Sequence, residues 1–269
     1  QTPHHLFSFV QHIFSNHSFS SRKGKGSCLA VATLKRQSAI FRKKEKRCWS
    51  IKCDIKKYFD NINHEVLLGL LRKEISDEKI TNLLKIIVKS FNTETGKAVP
   101  LGNITSQIFA NIYLNELDKF IESKLGLKNY YVRYNDDFII MGNDEKKLFE
   151  NVRDVRQFLS EKLFLELPQS KTVFRKLKWG IDFCGCAVLL NGILLRHKTK
   201  MRMFMALKAA GNKFIFGKIS TSDLRKKFDS YFGLISHCKA HNLKTKIKNK
   251  YLYASGYLNK DALFRFERL

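Results

Sequence analysis

Acidic residues are scarce in this sequence: 24 Asp and Glu stand against 50 Lys and Arg over 269 residues, a formal net charge of +26. A compact body with that excess repels itself unless a polyanion or another acidic partner compensates it, and nucleic acid is the default partner. Long apolar runs are also lacking. No stretch of about 18 uncharged apolar residues occurs, which excludes a transmembrane helix, and the opening QTPHHLFSFVQH lacks the basic-then-apolar order of a secretory signal. A soluble, cytoplasmic protein with no membrane partner is expected. The six cysteines, at 28, 48, 53, 184, 186 and 238, include no C-x-x-C, which argues against a zinc ribbon or a redox pair and for buried free thiols. His4, His5, His12 and His17 lack metal-ligand spacing, and no repeat or low-complexity tract is found. The chain starts at Gln1 rather than Met, so a short N-terminal stretch is expected to precede it.

What is present, with 44% hydrophobic residues, suffices for a sizeable core. SSRKGKGS reads as a basic, glycine-containing turn running into an apolar helix, and Arg42 to Arg47 as a solvated turn or a phosphate-facing loop. In CWSIKCDIKKYF, apolar Trp49, Ile51, Cys53 and Ile55 alternate with Ser50, Lys52, Asp54 and Lys56, a strand with Asp54 near its end and opposite the buried set. Asn63 opens a helix burying Val66, Leu67, Leu70 and Leu71, and a second amphipathic helix covers Asp77 to Phe91. The glycine-containing loop TETGKAVPLGNITSQ enters a long helix with Ile108, Ile112, Leu114, Leu117, Phe120 and Ile121 at helical spacing. YYVRYNDDFIIMG reads as a hairpin with Asn135, Asp136 and Asp137 at its tip. A helix over Glu145 to Leu163, a strand over Phe164 to Leu167 and a hairpin around Asn191-Gly192 follow. From Arg196 on there are eighteen Lys/Arg against four Asp/Glu, a basic helical segment with breaks expected at Gly211, Gly217 and Gly233.

Adjacent strand residues point to opposite faces, so only a turn lets both Asp136 and Asp137 reach one site. Joined there by Asp54, three carboxylates repel one another, whereas two divalent cations about 3.5–4 Å apart neutralise them and make a phosphoryl-transfer site. Magnesium suits such oxygen ligands. Taken alone, Asn-Asp-Asp is better read as solvated acids in a hairpin turn.

Taken together, the ordered segments resemble the palm and fingers of reverse transcriptases. SIKCDIKKYFDNINH resembles the first carboxylate motif, VPLGNITSQIFANIYLNELD the loop-helix motif, YNDD the catalytic hairpin, Lys171-Thr172 the lysine motif, and IDFCGC the hydrophobic primer-grip hairpin. The subgroup most resembled is that of diversity-generating retroelements, which carry Gly-x-x-x-Ser-Gln where many relatives have Gly-x-x-x-Ser-Pro. Here the stretch runs from Gly102 to Ser106-Gln107, preceded by the aliphatic Leu101. RKGKG and FGLISHCKAHNL resemble further stretches of that subgroup. Asn135 departs from the usual Met, Ala or Val, and Cys184 and Cys186 from the usual Leu and aromatic.

The resemblance implies an α+β right-hand polymerase with an antiparallel palm sheet: partial fingers over 1–48, palm over 49–195 with inserted fingers helices at about 65–100, and a short basic helical thumb over 196–269. It implies RNA-directed DNA synthesis with two Mg2+ ions, Mn2+ being able to substitute. Asp54, Asp136, Asp137 and the Ile55 carbonyl would hold the metals, and Lys171 would be the proton donor to pyrophosphate. Phe59 would exclude a ribose 2′-hydroxyl, and Leu101 and Gly102, with Ser106 and Gln107, would line the nucleotide pocket, Leu101 loosening fidelity. Arg22, Lys23, Lys25, Arg36 and Arg42 are candidates for triphosphate or template phosphate. Lys198, Lys200, Arg202, Lys208, Arg225, Lys226, Lys227, Lys244, Lys246 and Lys248 would grip the template-primer duplex. Implied partners are template RNA, the cDNA or primer, dNTPs and a small basic accessory protein that RNA helps to hold. A group II intron-like or defence-associated reverse transcriptase, and a non-catalytic RNA-binding protein of polymerase fold, are the alternatives.

Overall fold

In the computed structural model, which describes residues 11–90, 96–100 and 104–254, the chain divides into two compact units, Gln1–Ile181 and Asp182–Leu269. The first holds an antiparallel sheet of order β2-β3-β1-β4, built from β1 (Trp49–Asp54), β2 (Tyr131–Tyr134), β3 (Asp137–Gly142) and β4 (Thr172–Lys176). Alternation along β1 decides which face is buried. Ile51 and Cys53 pair with Ile140 and Phe138 of β3 and enter one core with Ile108, Tyr113 and Leu117 of α4 (Ile104–Lys119) and Leu148, Val152 and Val155 of α5 (Glu145–Leu163). The other face carries Ser50, Lys52 and Asp54. Ser50, expected to be solvated, is buried, its Oγ donating to the Arg175 carbonyl at 3.4 Å. Its cross-strand partner Met141 accepts from Ser38 Oγ of α1 (Ser27–Lys44) at 3.5 Å.

The helices start where the sequence supplies caps. Asn63 accepts from the Val66 N–H at 3.1 Å and opens α2 (His64–Glu74), which buries Leu67, Leu70 and Leu71 and leaves Val66 half-buried. Asp77 accepts from Lys79 and Ile80 N–H groups ahead of α3 (Glu78–Ser90). The expected end of that helix at Phe91 lies outside the described residues.

Phe164 to Leu167 is not a strand. Phe164 takes a left-handed φ of 51° as it ends α5, and the Glu166 carbonyl accepts from the Lys56 N–H at 3.0 Å. Leu165 and Leu167 are buried in the core, so their alternation reports burial without a ladder. The sheet's fourth strand is β4, with Val173 and Arg175 exposed.

From the last residue of the first unit onward, β5 (Ile181–Phe183), β6 (Cys186–Leu189) and β7 (Gly192–Leu195) form a small sheet in that order, with a hairpin turn at Leu190-Asn191. Helices α6 (His197–Ile215), α7 (Thr221–Ser236) and α8 (His241–Ala254) bury Met203, Leu207, Leu224, Phe228, Ile235 and Ile247. Gly217, at φ +68°, does break the chain, whereas Gly211 and Gly233 lie inside α6 and α7, where burial of the apolar stripe outweighs glycine's weak helix propensity. All six cysteines are free. Cys53, Cys186 and Cys238 are buried as expected, whereas Cys28, Cys48 and Cys184 are half-exposed.

One ion pair ties the first unit together. Arg133 of β2, fully buried, donates from Nε to Asp118 Oδ1 at 2.7 Å and from Nη2 to Asp118 Oδ2 at 2.5 Å and Ser18 Oγ at 2.9 Å. Tyr131 donates its hydroxyl to the same carboxylate at 2.6 Å. Burial alone would lower the Arg133 pKa; the Asp118 charge outweighs it and raises it. Removing one partner of such a pair strands the other, so Asp118→Ala is expected to destabilise the protein by about 3–5 kcal/mol, read as a lower urea midpoint.

Candidate active site

β1 ends at Asp54 and β3 begins at Asp137, and the two are direct cross-strand partners. Between Tyr134 and Asp137, which also pair, Asn135-Asp136 makes a two-residue turn with Asn135 at φ +53°. Asn is among the few side chains that tolerate this region, which accounts for its place here. Arg133 Nη1 donates to the Asn135 carbonyl at 3.0 Å, and the Ile55 N–H donates to the Asp136 carbonyl at 3.3 Å. The turn is thus held from both sides, and the acids meet at one end of the sheet.

Like charges directly opposite on a sheet are destabilising. Two lysines compensate here: Lys171 Nζ bonds Asp54 Oδ1, and Lys52 Nζ lies 3.0 Å from Asp137 Oδ2. The sequence reading singled out Lys171 but not Lys52, although two-residue spacing on β1 already put Lys52 on the face of Asp54. Burial raises the Asp136 pKa, and the charges of Asp54 and Asp137 raise it further. Burial likewise raises Asp137, against the pull of Lys52. The hydrogen bond to Asp54 raises Lys171, which keeps it protonated at neutral pH.

Among the described residues, no three His, Cys, Asp or Glu side chains already stand as a metal cage, and lysines pair with two of the acids. The donor set nevertheless fits a hard divalent cation. It offers only oxygens, and Asp137 Oδ1 is buried with no hydrogen-bond partner among the described residues. Asp54, Asp136 and Asp137 would hold the ion. The Ile55 backbone stands beside them, its side chain fully buried.

Other residues expected at the site fall variously. Phe59 is half-buried against Tyr58, ring centroids 5.3 Å apart, and opens a 3-10 turn after Asp54 rather than ending the strand. Ser106 is buried in the first turn of α4, its Oγ without a partner among the described residues, while Gln107 is exposed. Leu101 and Gly102 lie outside the described residues.

Arg22 is half-buried, its Nη1 donating to the Ser15 carbonyl and, at 3.0 Å, to that of Ser18. Burial lowers its pKa. Lys25 Nζ donates to the Asn16 carbonyl at 3.0 Å. Both brace the segment beside β2. Lys23 and Arg36 are exposed. Arg42 is not brought to the carboxylates: it lines a cavity with Trp49 and Lys176, at the other end of β1. In the second unit, Lys198, Arg202, Lys208, Arg225, Lys226, Lys227, Lys246 and Lys248 are exposed and Lys200 and Lys244 half-buried, a solvated basic surface on three helices.

Residues 2–188 match the family described as reverse transcriptase (RNA-dependent DNA polymerase). The group II intron-encoded protein LtrA of Lactococcus lactis subsp. cremoris is 30% identical over 84% of this chain and 49% of its own length. Protein YkfC of Escherichia coli K12 is 26% identical over 64% of this chain and 55% of its own length. The chain therefore spans about half the length of these curated relatives. Among solved structures, apo telomerase from Candida tropicalis superposes with a TM-score of 0.58 at 14% identity, covering 94% of this chain and 54% of that one. Telomerase from Candida albicans, in complex with a fragment of telomeric RNA, gives 0.55 at 14% identity, over 98% and 48%. The fold is thus of the α+β right-hand polymerase type.

A carboxyl whose pKa is raised by folding costs stability while it is ionised. In EDTA at neutral pH, Asp136→Asn is therefore expected to be at least as stable as the native chain. In about 10 mM magnesium the native melting temperature should rise by about 2–5 °C and that of the variant should not, as differential scanning calorimetry would show.

Proposed function

Because the chain belongs to the reverse transcriptase (RNA-dependent DNA polymerase) family, we propose that it copies an RNA template into cDNA at the Asp54, Asp136 and Asp137 site. The observation that carries this reading is the direct pairing of Asp54 with Asp137 beside the Asn135-Asp136 turn, with Lys171 on the rim. Magnesium bound by these carboxylates would supply Lewis-acid activation of the primer 3′-hydroxyl and neutralise the triphosphate. Asp54 and Asp137 face each other across two strands, so sheet hydrogen bonds, not side-chain flexibility, set their spacing. Lys171 is protonated and, once released from Asp54, can hand its proton to the departing pyrophosphate. Phe59, braced on Tyr58, would stand against the sugar and exclude a 2′-hydroxyl.

In this reading residues 1–48 are partial fingers, 49–195 the palm with fingers helices inserted at about 65–100, and 196–269 the thumb, whose basic helices follow the duplex backbone. Leu101, Ser106 and Gln107 support assignment to the diversity-generating retroelements, with adenine-directed errors. The small basic accessory protein of that setting would join through RNA, because two basic proteins repel without it. A group II intron-like enzyme is the second reading, favoured by the identity of LtrA.

Primer extension on a defined RNA template with dNTPs and magnesium tests the proposal. Asp136→Asn should lower the rate by roughly 10³-fold or more, and an unaffected rate would overturn the site. Sequenced products with errors concentrated opposite template adenines would support the retroelement reading; evenly spread errors would favour the group II intron-like one. Phe59→Val should raise ribonucleotide incorporation relative to dNTP by about 10- to 100-fold, measured by alkaline cleavage of the product.

A further inference from the structure

At the end of the sheet opposite the carboxylates lies a cavity of about 1070 Å³ lined by the end of α1, the loop into β1, the start of α5 and the end of β4. Five residue steps along β1 separate Trp49 from Asp54, about 17 Å. The cavity joins two features that rarely coincide on a solvated surface. One is a ladder of aromatic planes: Phe149 packs on Phe174 and Phe174 stacks on Trp49, each pair of centroids 4.7 Å apart. Lys176 Nζ lies 5.0 Å over the Trp49 ring and 5.7 Å over that of Trp179. The outer members remain in solvent, Phe149 at 48% and Trp179 at 61% exposure. The other feature is cationic: Lys46, Arg47, Lys146 and Lys178 are exposed on the rim, and none forms an ion pair among the described residues. Three acids, Glu45, Asp144 and Glu145, share the lining, so the cations exceed them, and Asp144 is engaged as the cap of α5.

We propose that this cavity binds an unpaired segment of RNA, as a contact separate from the polymerase site. Exposed aromatic faces alone would suit an apolar protein surface, and cations alone any polyanion. Aromatic rings beside exposed cations match the bases and phosphates of a single strand, whose bases are free to stack. A duplex keeps its bases stacked inside and meets only the cations. The proposal does not require that the distant carboxylates be catalytic.

The chain contains two tryptophans: Trp49 lines the cavity, and Trp179 flanks it, sharing the Lys176 ammonium with Trp49, so intrinsic fluorescence reads this end of the sheet. Titrating the full chain with a single-stranded 12-mer oligoadenylate should give saturable quenching. A blunt RNA duplex of equal charge, or an abasic ribose-phosphate 12-mer, should quench at least about tenfold more weakly by midpoint. The charge reversal Lys46→Glu with Arg47→Glu, at two exposed positions, should raise the oligoadenylate midpoint about tenfold or more while the circular dichroism spectrum stays native. No quenching at saturation, equal quenching by the abasic strand, or a midpoint unmoved in the double variant would overturn the proposal. Primer extension by the same preparation separates the two readings: extension without quenching removes the cavity site alone, and quenching without extension leaves it standing.

Discussion

The buried pair of Arg133 and Asp118 is the constraint from which the geometry of the first unit follows. A guanidinium taken fully out of water is tolerable only if its donors are met, and here Asp118 of α4, Ser18 of the N-terminal segment and the Asn135 carbonyl meet them. The residue that pins a helix to the sheet thereby also holds the turn that presents Asp136. The segment carrying Ser18 is joined to the same strand through its backbone, with the Arg133 N–H donating to the His17 carbonyl at 2.8 Å and the Phe19 N–H to that of Arg133 at 3.0 Å. A shift in any one of these elements leaves a buried charge or a buried donor unpaired, so they hold a single arrangement.

Charge is distributed by a related logic. In a chain of net +26 the three site acids could have been neutralised by any neighbouring lysines, yet two particular ones do so, Lys52 from within β1 and Lys171 from the turn before β4. The arrangement stores repulsion: burial raises the pKa of both Asp136 and Asp137, the charges of Asp54 and Asp137 adding to it at Asp136 and that of Asp54 at Asp137. A site that is electrostatically uncomfortable by itself is one that a cation relieves. Stability given up locally would be recovered by binding a divalent ion.

The sheet separates two chemistries along one strand. At the Asp54 end the side chains offer oxygens; at the Trp49 end the same strand, with β4 and the start of α5, offers rings and ammonium groups. Because β1 is paired on both sides, the distance between these ends is fixed by backbone geometry rather than by side-chain conformation.

Much of this was legible in the residues alone. Two-residue alternation identified β1 and placed Asp54 opposite its buried set, the YNDD run marked the hairpin, and helical spacing located α2, α4 and α5, because period and turn chemistry are local properties. Where local pattern and tertiary environment diverged, the reading failed. Leu165 and Leu167 alternate like a strand yet are buried from irregular chain, Ser50 looks polar yet is buried with its hydroxyl on the Arg175 carbonyl, and Gly211 and Gly233 look like breaks yet sit inside packed helices. The pairing of Lys52 with Asp137, the bracing of Arg22 and Lys25 by backbone carbonyls, and the removal of Arg42 to the far cavity were not legible for the same reason, although the face of Lys52 was. The sequence by itself determined the periodicities, the acids and the excess of positive charge. Only the tertiary structure decided which cations face the acids and which face the aromatic rings, because direction and partnership are set by strands and helices far apart in the chain.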